Sequence, residues 1–383
     1  MRLFGTKAAQ AVARPALARA WGSGAVVLGE WPASYEAQLR AGVMTNPVAQ
    51  RAVRLVSEGA GAAVLAARGG GEADRTRALA LVRARSAGQS LVETLACHLL
   101  LHGNAYVQIL DGADGAPAEL FALRPERVSV EGDARGWPAA YLYRVGESVT
   151  RLSPREAAGG TPGSGGVIHL KALHPLDDHY GLGCAGAAAG AVAIHNAATV
   201  WNKALLDNAA RPSGAMVYAP GDGSVMSPEQ FERVKREMEV AFSGAANAGR
   251  PMLLEGGLDW KALSLTPAEM DFVALKATAA REIALAFGVP PMLVGLPGDN
   301  SYANYREANK ALWRQTILPL VEKIAGGIAQ GLSDWFPGVT MAADLDQVPA
   351  LSDERAALWE RVAAADFLSA EEKRALLGIG GAA

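Results

Sequence analysis

Apolar positions along this chain fall into two kinds of run, long stretches at helical spacing and short β-branched or aromatic stretches cut by turn residues. Residues 46–66 and 76–102 are of the first kind and are predicted helices, the second stopped by Gly103, which can take a left-handed conformation at the helix end. The second kind follows. Residues 105–110, 119–123, 127–131, 139–145 and 167–170 are predicted strands, separated by Asp-Gly, Gly-Asp and Pro-Gly turns. Residues 153–166 are expected to be a surface loop rich in Gly and Pro.

Helical spacing returns at residues 185–208, where Gly186 and Gly190 stand four apart and offer a face that another helix can approach closely. Arg211-Pro212-Ser213-Gly214 then breaks the chain, and 215–218 is a predicted strand. Ser227-Pro228-Glu229-Gln230 supplies an N-cap, a proline at the first helical position and a capping-box glutamine, starting a helix that should stop near Gly244. Residues 251–254 and 260–265 are strand-like, and Thr266-Pro267-Ala268-Glu269 is a second capping box, predicting a helix to Phe287. Gly288-Val289-Pro290-Pro291 ends that helix firmly, because prolines cannot continue it. A polar loop leads into a long predicted helix, 302–335, with Pro319 inside it; the missing N–H predicts a bend at 315–318, and Gly326-Gly327 adds a second weak point. Two short helices close the chain at 352–365 and 369–377, the second bounded by Ser369-Ala370-Glu371-Glu372 and Gly378. The fold class is α+β.

Composition narrows the function. With 383 residues and 50% hydrophobic content the chain can bury a core, in two to four structural units at about 100–200 residues each. A net charge of -3 argues against a strongly basic surface that grips nucleic acid. Cys97 and Cys184 form no CxxC or Cys/His spacing, so reduced thiols are expected. Residues 1–29 lack Asp and Glu but carry Arg2, Lys7, Arg14 and Arg19; this reads as a basic arm or a transit segment, without an apolar core of signal-peptide length. The uncharged run 179–202 is mostly Ala and Gly around His195, Asn196 and Asn202, and a membrane helix is not expected there.

Candidate chemistry is thin. Gly181-Leu182-Gly183-Cys184-Ala185-Gly186 matches GxGxxG ahead of a helix, but His174–Tyr180 intervene after the last strand and no βαβ unit follows, so it reads as the start of a helix. His98 and His102 have the spacing of a zincin pair with Leu99 where the glutamate base would stand. His169, His174 and His179, with Asp177 and Asp178, recur every five residues, which suits neither a helix face nor a compact zinc set. No Walker lysine, GxSxG elbow or Cys/His pair is present. No catalytic residue, metal or cofactor is expected.

The stretch from Ile283-Ala284 to Gly295, with Asn304-Tyr305 and Ala308 after it, resembles the signature of the portal proteins of long-tailed bacteriophages and phage-like gene transfer agents. Further pieces fall in that family's order: Gly103-Asn104-Ala105-Tyr106; Glu119-Leu120 with Leu123, Pro125, Arg127 and Val128; Ile168-His169; Ala210-Arg211-Pro212-Ser213-Gly214; and Gly249-Arg250 with Leu253, Glu255, Gly256, Gly257 and Leu258. Gly183-Cys184 departs from the family's usual Gly-x-Ser-Pro. The resemblance implies a portal fold: 1–45 a partly disordered arm, 46–184 the first part of a wing, 185–210 a stem helix, 211–264 a clip, 265–289 a second stem helix, 290–303 a tunnel loop, 304–348 the rest of the wing with a kinked helix and last strand, and 349–383 a short helical crown.

The function it implies is a ring at one capsid vertex, a dodecamer that is the channel for DNA packaging and ejection and the head–tail connector. Implied partners are the large terminase packaging ATPase, a head–tail adaptor, the major capsid protein or a scaffold, and double-stranded DNA, with no membrane. Asn300, Ser301 and Tyr302 are the expected DNA-facing tip, with Lys276 and Arg281 as further channel residues. Glu232, Lys235, Arg236 and Glu239 are the expected partner-facing residues of the clip helix, or else a solvated face. Two other readings stay open at this point: an oligomeric scaffold without a channel, and a nicotinamide-dependent enzyme resting on GxGxxG alone.

Overall fold

The computed structural model describes residues 17, 34–155, 166–207, 214–219, 225–242, 257–262, 271–296 and 302–378. It opens with α1 (Tyr35–Ala41), capped by Ser34, and α2 (Pro47–Ala62), whose N-cap Asn46 accepts from the amides of Val48 and Ala49. Ala49, Ala52, Val53, Val56 and Ala60 make one buried stripe along α2. The expected helix 46–66 stops early, because Leu65–Arg68 is a strand, β1, drawn into pairing with a segment almost 300 residues later, Thr340–Ala343. Local pattern cannot reveal such a partner.

The expected helix 76–102 is two helices, α3 (Glu72–Arg83) and α4 (Leu91–His102), around a tight hairpin of β2 (Arg85–Ser86) and β3 (Gln89–Ser90). Ala87 and Gly88 both have positive φ, as a two-residue hairpin turn requires. An Ala at such a site carries no warning in the sequence. Ser90 caps α4, and Gly103 ends it at φ 81 as expected.

The strands then fall where their patterns put them: β4 (Asn104–Asp111), β5 (Pro117–Leu123), β6 (Val128–Gly132), β7 (Pro138–Val145) and, after an unexpected β8 (Ser148–Leu152), β9 (Val167–Lys171). They form two antiparallel three-stranded sheets, in the orders β5-β4-β9 and β6-β7-β8. Ser148–Arg151 are all exposed, so β8 has no apolar period to read. Most of the expected loop 153–166 lies outside the described residues. A small core of Tyr106, Leu123, Val128, Tyr141 and Val167 joins the sheets, while the main core gathers α2, α4 and the first sheet.

Next come α5 (Cys184–Asp207), β10 (Gly214–Tyr218), α6 (Pro228–Phe242), β11 (Leu258–Ala262) and α7 (Phe272–Ala286). α5 packs against α7, with the rings of Trp201 and Phe272 stacked 6.1 Å apart. β10 pairs antiparallel with β11, which begins two residues before the expected 260 and ends at 262. The Ser227/Gln230 capping box of α6 closes reciprocally. The expected strand 251–254 and the capping box at 266–269 lie outside the described residues. α7 nevertheless starts at a cap of its own: Asp271 is non-helical at φ 41 and accepts from Ala274 N, which rules out one unbroken helix from 266.

Then come α8 (Tyr302–Leu312) and α9 (Leu318–Gly331), joined through a π-helical turn at Trp313–Ile317. That turn is the structural answer to Pro319, which has no N–H for the helical ladder. The helix ends at Gly331, short of the expected 335. Gly326-Gly327 is no weak point: a Cβ on Gly327 would lie 2.2 Å from Leu170 Cδ2, so that glycine lets β9 seat closely on α9. β12 (Thr340–Ala343), α10 (Ser352–Ala363) and α11 (Ala370–Leu377) complete the chain, with the Ser369/Glu372 capping box and Gly378 at φ 75 as expected. Among the described residues no helix is long and apolar enough to cross a membrane.

Candidate functional site

The junction after α7 is built as its residues require. Ile283 and Ala284 are fully buried and Phe287 nearly so, which pins the last turn of the helix to the core. Gly288 turns at φ 66 and donates to Leu285 O, Val289 N donates to Ala284 O, and Pro290 runs extended into a 3₁₀ turn, Pro291–Val294. Leu293 is buried under that turn and Gly295 ends it at φ 83. From the other side Thr316, in the π turn, donates its hydroxyl to Gly288 O at 2.7 Å. The chain therefore leaves the core from a fixed root at 288–295 and re-enters as α8. Of the expected tip, Tyr302 is 82% exposed; Asn300 and Ser301 lie outside the described residues. Tyr305, quoted from the sequence only as part of the Asn304-Tyr305 motif, adds a second exposed ring at the start of α8.

α5, against which α7 packs, is tied to the start of the fold by amides. Asn46 Nδ2 donates to His195 Nδ1 at 3.1 Å and to Asn196 Oδ1 at 2.9 Å, and Asn196 Nδ2 donates to Ala41 O. His195 is buried, which holds its pKa below the ordinary value, helped by nearby Lys276. Lys276 is thus half-buried beside His195, while Arg281 is exposed. Five residues apart on a helix, the two do not share a face. Gly186 lies exposed on α5, its nearest neighbour across the space of a Cβ being Gln38 at 3.9 Å.

Three motifs meet in one structural knot. A Cβ on Gly181 would lie 2.0 Å from Gly103 O, and one on Gly183 2.2 Å from Leu101 O, so the GxGxxG loop presses its backbone onto the end of α4. No space is left there for a pyrophosphate. Buried Asn104 closes the contact: its Oδ1 accepts from Gly181 N at 2.8 Å and from His169 Nε2 at 3.0 Å, and its Nδ2 donates to Gly181 O and His102 Nδ1. His169 stacks on Tyr106 at 4.3 Å, and burial pushes its pKa down to about 3. Gly103-Asn104-Ala105-Tyr106, Ile168-His169 and Gly181-Leu182-Gly183 are therefore one packing unit. His98, on α4, is held to a pKa of about 4 by burial. His174 accepts from Leu176 N and the His179 ring bonds Gly136 O, so these histidines are tied apart. Among the described residues no three His, Cys, Asp or Glu side chains are placed to hold a metal.

On α6, Glu232, Lys235 and Arg236 are exposed, while the Glu239 side chain lies outside the described residues. Phe231 is exposed too, at 59%. The signal for it was present in the sequence, since Phe231, Val234 and Met238 recur at helical spacing along a helix whose other positions up to 237 are polar.

The phage portal protein family model matches residues 47–378. A chain in the virion of a native gene transfer agent (GTA) particle is 47% identical, covering 92% of this chain and 95% of that chain with a TM-score of 0.68. A chain in the neck of a native GTA particle, computed with C12 symmetry, is also 47% identical and covers 94% of this chain and 97% of that one, TM-score 0.67. An uncharacterised protein of Rickettsia bellii is 41% identical over 296 residues, 76% of this chain and 74% of its own length.

Proposed function

This chain belongs to the phage portal protein family, and from that premise we propose that it is the subunit of a twelve-membered ring at the head vertex of a GTA-type particle, the channel through which double-stranded DNA enters and leaves. The observation that carries the channel role is the junction on either side of 297–301: a root fixed by Gly288, Leu293 and Thr316 on one side, and on the other α8, which begins at exposed Tyr302. Residues 290–303 are the tunnel loop in this reading, with Asn300, Ser301 and Tyr302 toward DNA. Exposed Arg281 is the better placed of the two stem cations, since Lys276 is half-buried.

The partners follow from position. α6, with Glu232, Lys235, Arg236 and exposed Phe231, is the surface for the large terminase and later for the head–tail adaptor; Glu239 belongs to the same helix. The two small sheets face the capsid protein or a scaffold. The portal family is structural and not enzymatic, and on that basis this chain hydrolyses nothing itself: ATP is spent by the terminase. A channel that gripped phosphates with many cations would lose affinity steeply with salt, with a slope of about -0.9 per phosphate neutralised, and would hinder sliding. A net charge of -3 and aromatic tips instead suit loose, sequence-independent contact. Electron-microscope class averages of the purified protein test the proposal directly. Closed rings with an axial channel are expected; a compact scaffold without one would overturn it.

A further inference from the structure

α8 and α9 are continuous in sequence but differ in support. α9 is core, with Val321, Ile324, Ala325 and Ile328 fully buried, whereas Tyr302–Glu307 of α8 are all exposed. Between them stands the π turn Trp313–Ile317, in which the helical ladder is widened by one residue. Little apolar packing holds α8, and charge does the work instead. Arg306, Lys310 and Arg314, one per turn, meet the acidic start of α10: Arg306 faces Asp353 at 3.6 Å, Lys310 faces Glu354 at 3.5 Å, and Arg314 pairs with Glu354 as well. Lys310 is buried and also bonds Glu307 at 3.1 Å.

The other side of α10 is tied within the C-terminal unit. Asp346 accepts from Arg355 Nε at 2.5 Å and from Trp359 Nε1 at 3.2 Å, and Arg355 Nη2 donates to Leu377 O at 2.8 Å. The helix pair α10–α11 is therefore tied together and meets α8 through these ion pairs, beside the turn Pro349–Leu351, which also lies against α8.

We propose that α8 is a lever hinged at the π turn and latched by the Arg306–Lys310–Arg314 ladder to Asp353 and Glu354, so that the C-terminal helix pair sets the position of Tyr302–Arg306. The mechanical part rests on geometry alone; that the lever bears on DNA rests on the channel reading above. Exposed ion pairs are screened by salt, while a buried one that loses its partner leaves an uncompensated charge. Half-exposed Glu354 is the α10 partner of both Lys310 and Arg314, while Lys310 keeps Glu307 when Glu354 is lost, so the latch should be weakened by salt and by removing Glu354 or Asp353.

The test is hydrogen–deuterium exchange on the full chain. Glu354→Gln, and wild type in about 1 M salt, should raise exchange across 302–312 roughly threefold to tenfold while 318–331 keeps its rate. Asp353→Asn, at an exposed position, should do the same more weakly without threatening the fold. The apolar exchange Lys310→Met with Glu354→Leu should recover part of the slow exchange in 302–312 and reduce its salt dependence to that of the remaining Arg306–Asp353 pair. Wild-type exchange in Glu354→Gln, or a rise spread equally over 318–331, would overturn the latch. DNA retention in particles is read separately: faster exchange at 302–312 with unchanged retention leaves the latch standing and counts against the channel reading.

Discussion

At the scale of single residues, the GxGxxG stretch separates close packing from free space. Gly181→Ala would drive a Cβ into Gly103 O and Ala172 N, backbone atoms that cannot step aside, and should cost about 3 kcal/mol or more in urea denaturation. Gly186→Ala meets nothing nearer than 3.9 Å and should be neutral or stabilise the subunit by up to about 1 kcal/mol. A nucleotide-binding loop would give the opposite emphasis, with stability intact and ligand binding lost. His169 sets a pH dependence. Its ordinary value of 6.5 falls to about 3 in the fold, so both states are neutral above 6.5 and full stability is present there. Below 6.5 the unfolded chain takes up a proton that the folded chain refuses, so stability should fall by up to about 1.4 kcal/mol per pH unit for this group, with His98 adding its share down to about 4. Thermal melts of His169→Gln should show a shallower slope between pH 6.5 and 5; an unchanged slope would mean that His169 takes up its proton equally in the folded and unfolded chain, so that burial does not depress it. The sequence displayed these residues as separate motifs. That Asn104 joins three of them emerges only when strands β4 and β9 pair Tyr106 with His169.

At the scale of elements, what could be read was what is decided locally. Capping boxes at Ser227 and Ser369, the stop at Gly103 and the proline junction after Phe287 each satisfy their own backbone groups within a few residues, and each stands in the structure. Errors lie where a distant partner decides. β1 is a strand because β12 lies beside it, and α3 and α4 part at an Ala that the hairpin forces to positive φ. An interruption of the helix near Pro319 was legible, but its form, a π turn at Trp313–Ile317, was not, because a π turn depends on what neighbours accept; here Thr316 reaches Gly288 O. Thr316→Val should remove that bond, costing about 1 kcal/mol, and should raise amide exchange in 287–295 before any effect on α9. Equal exchange in both segments would show that the π turn does not hold the junction.

At the scale of the whole molecule, the family was legible because its motifs are the places where backbone meets backbone, and those tolerate few residues; the surfaces that make a ring or meet partners are marked less plainly, and although Phe231 stands in a helical pattern and Tyr305 in the Asn304-Tyr305 motif, that both rings are exposed is read only from the structure. Ring formation and DNA handling can be separated experimentally. In a heterologous ring each subunit meets its neighbour through two different surfaces, and deleting residues 297–303 touches neither α2, α4 and α9 of the core nor the α5–α7 pair. The root at 288–295 keeps its Gly288, Leu293 and Thr316 contacts, and α8 keeps its ion pairs to α10. The deletion should therefore leave ring mass unchanged in native mass spectrometry while lowering the DNA packaged or retained in particles. Intact rings should also bind duplex DNA weakly, with a shallow dependence on salt. Packaged DNA at the wild-type level after the deletion would remove 290–303 from the channel, and tight binding with a steep salt slope would mean that cations, not the aromatic tips at Tyr302 and Tyr305, carry the contact.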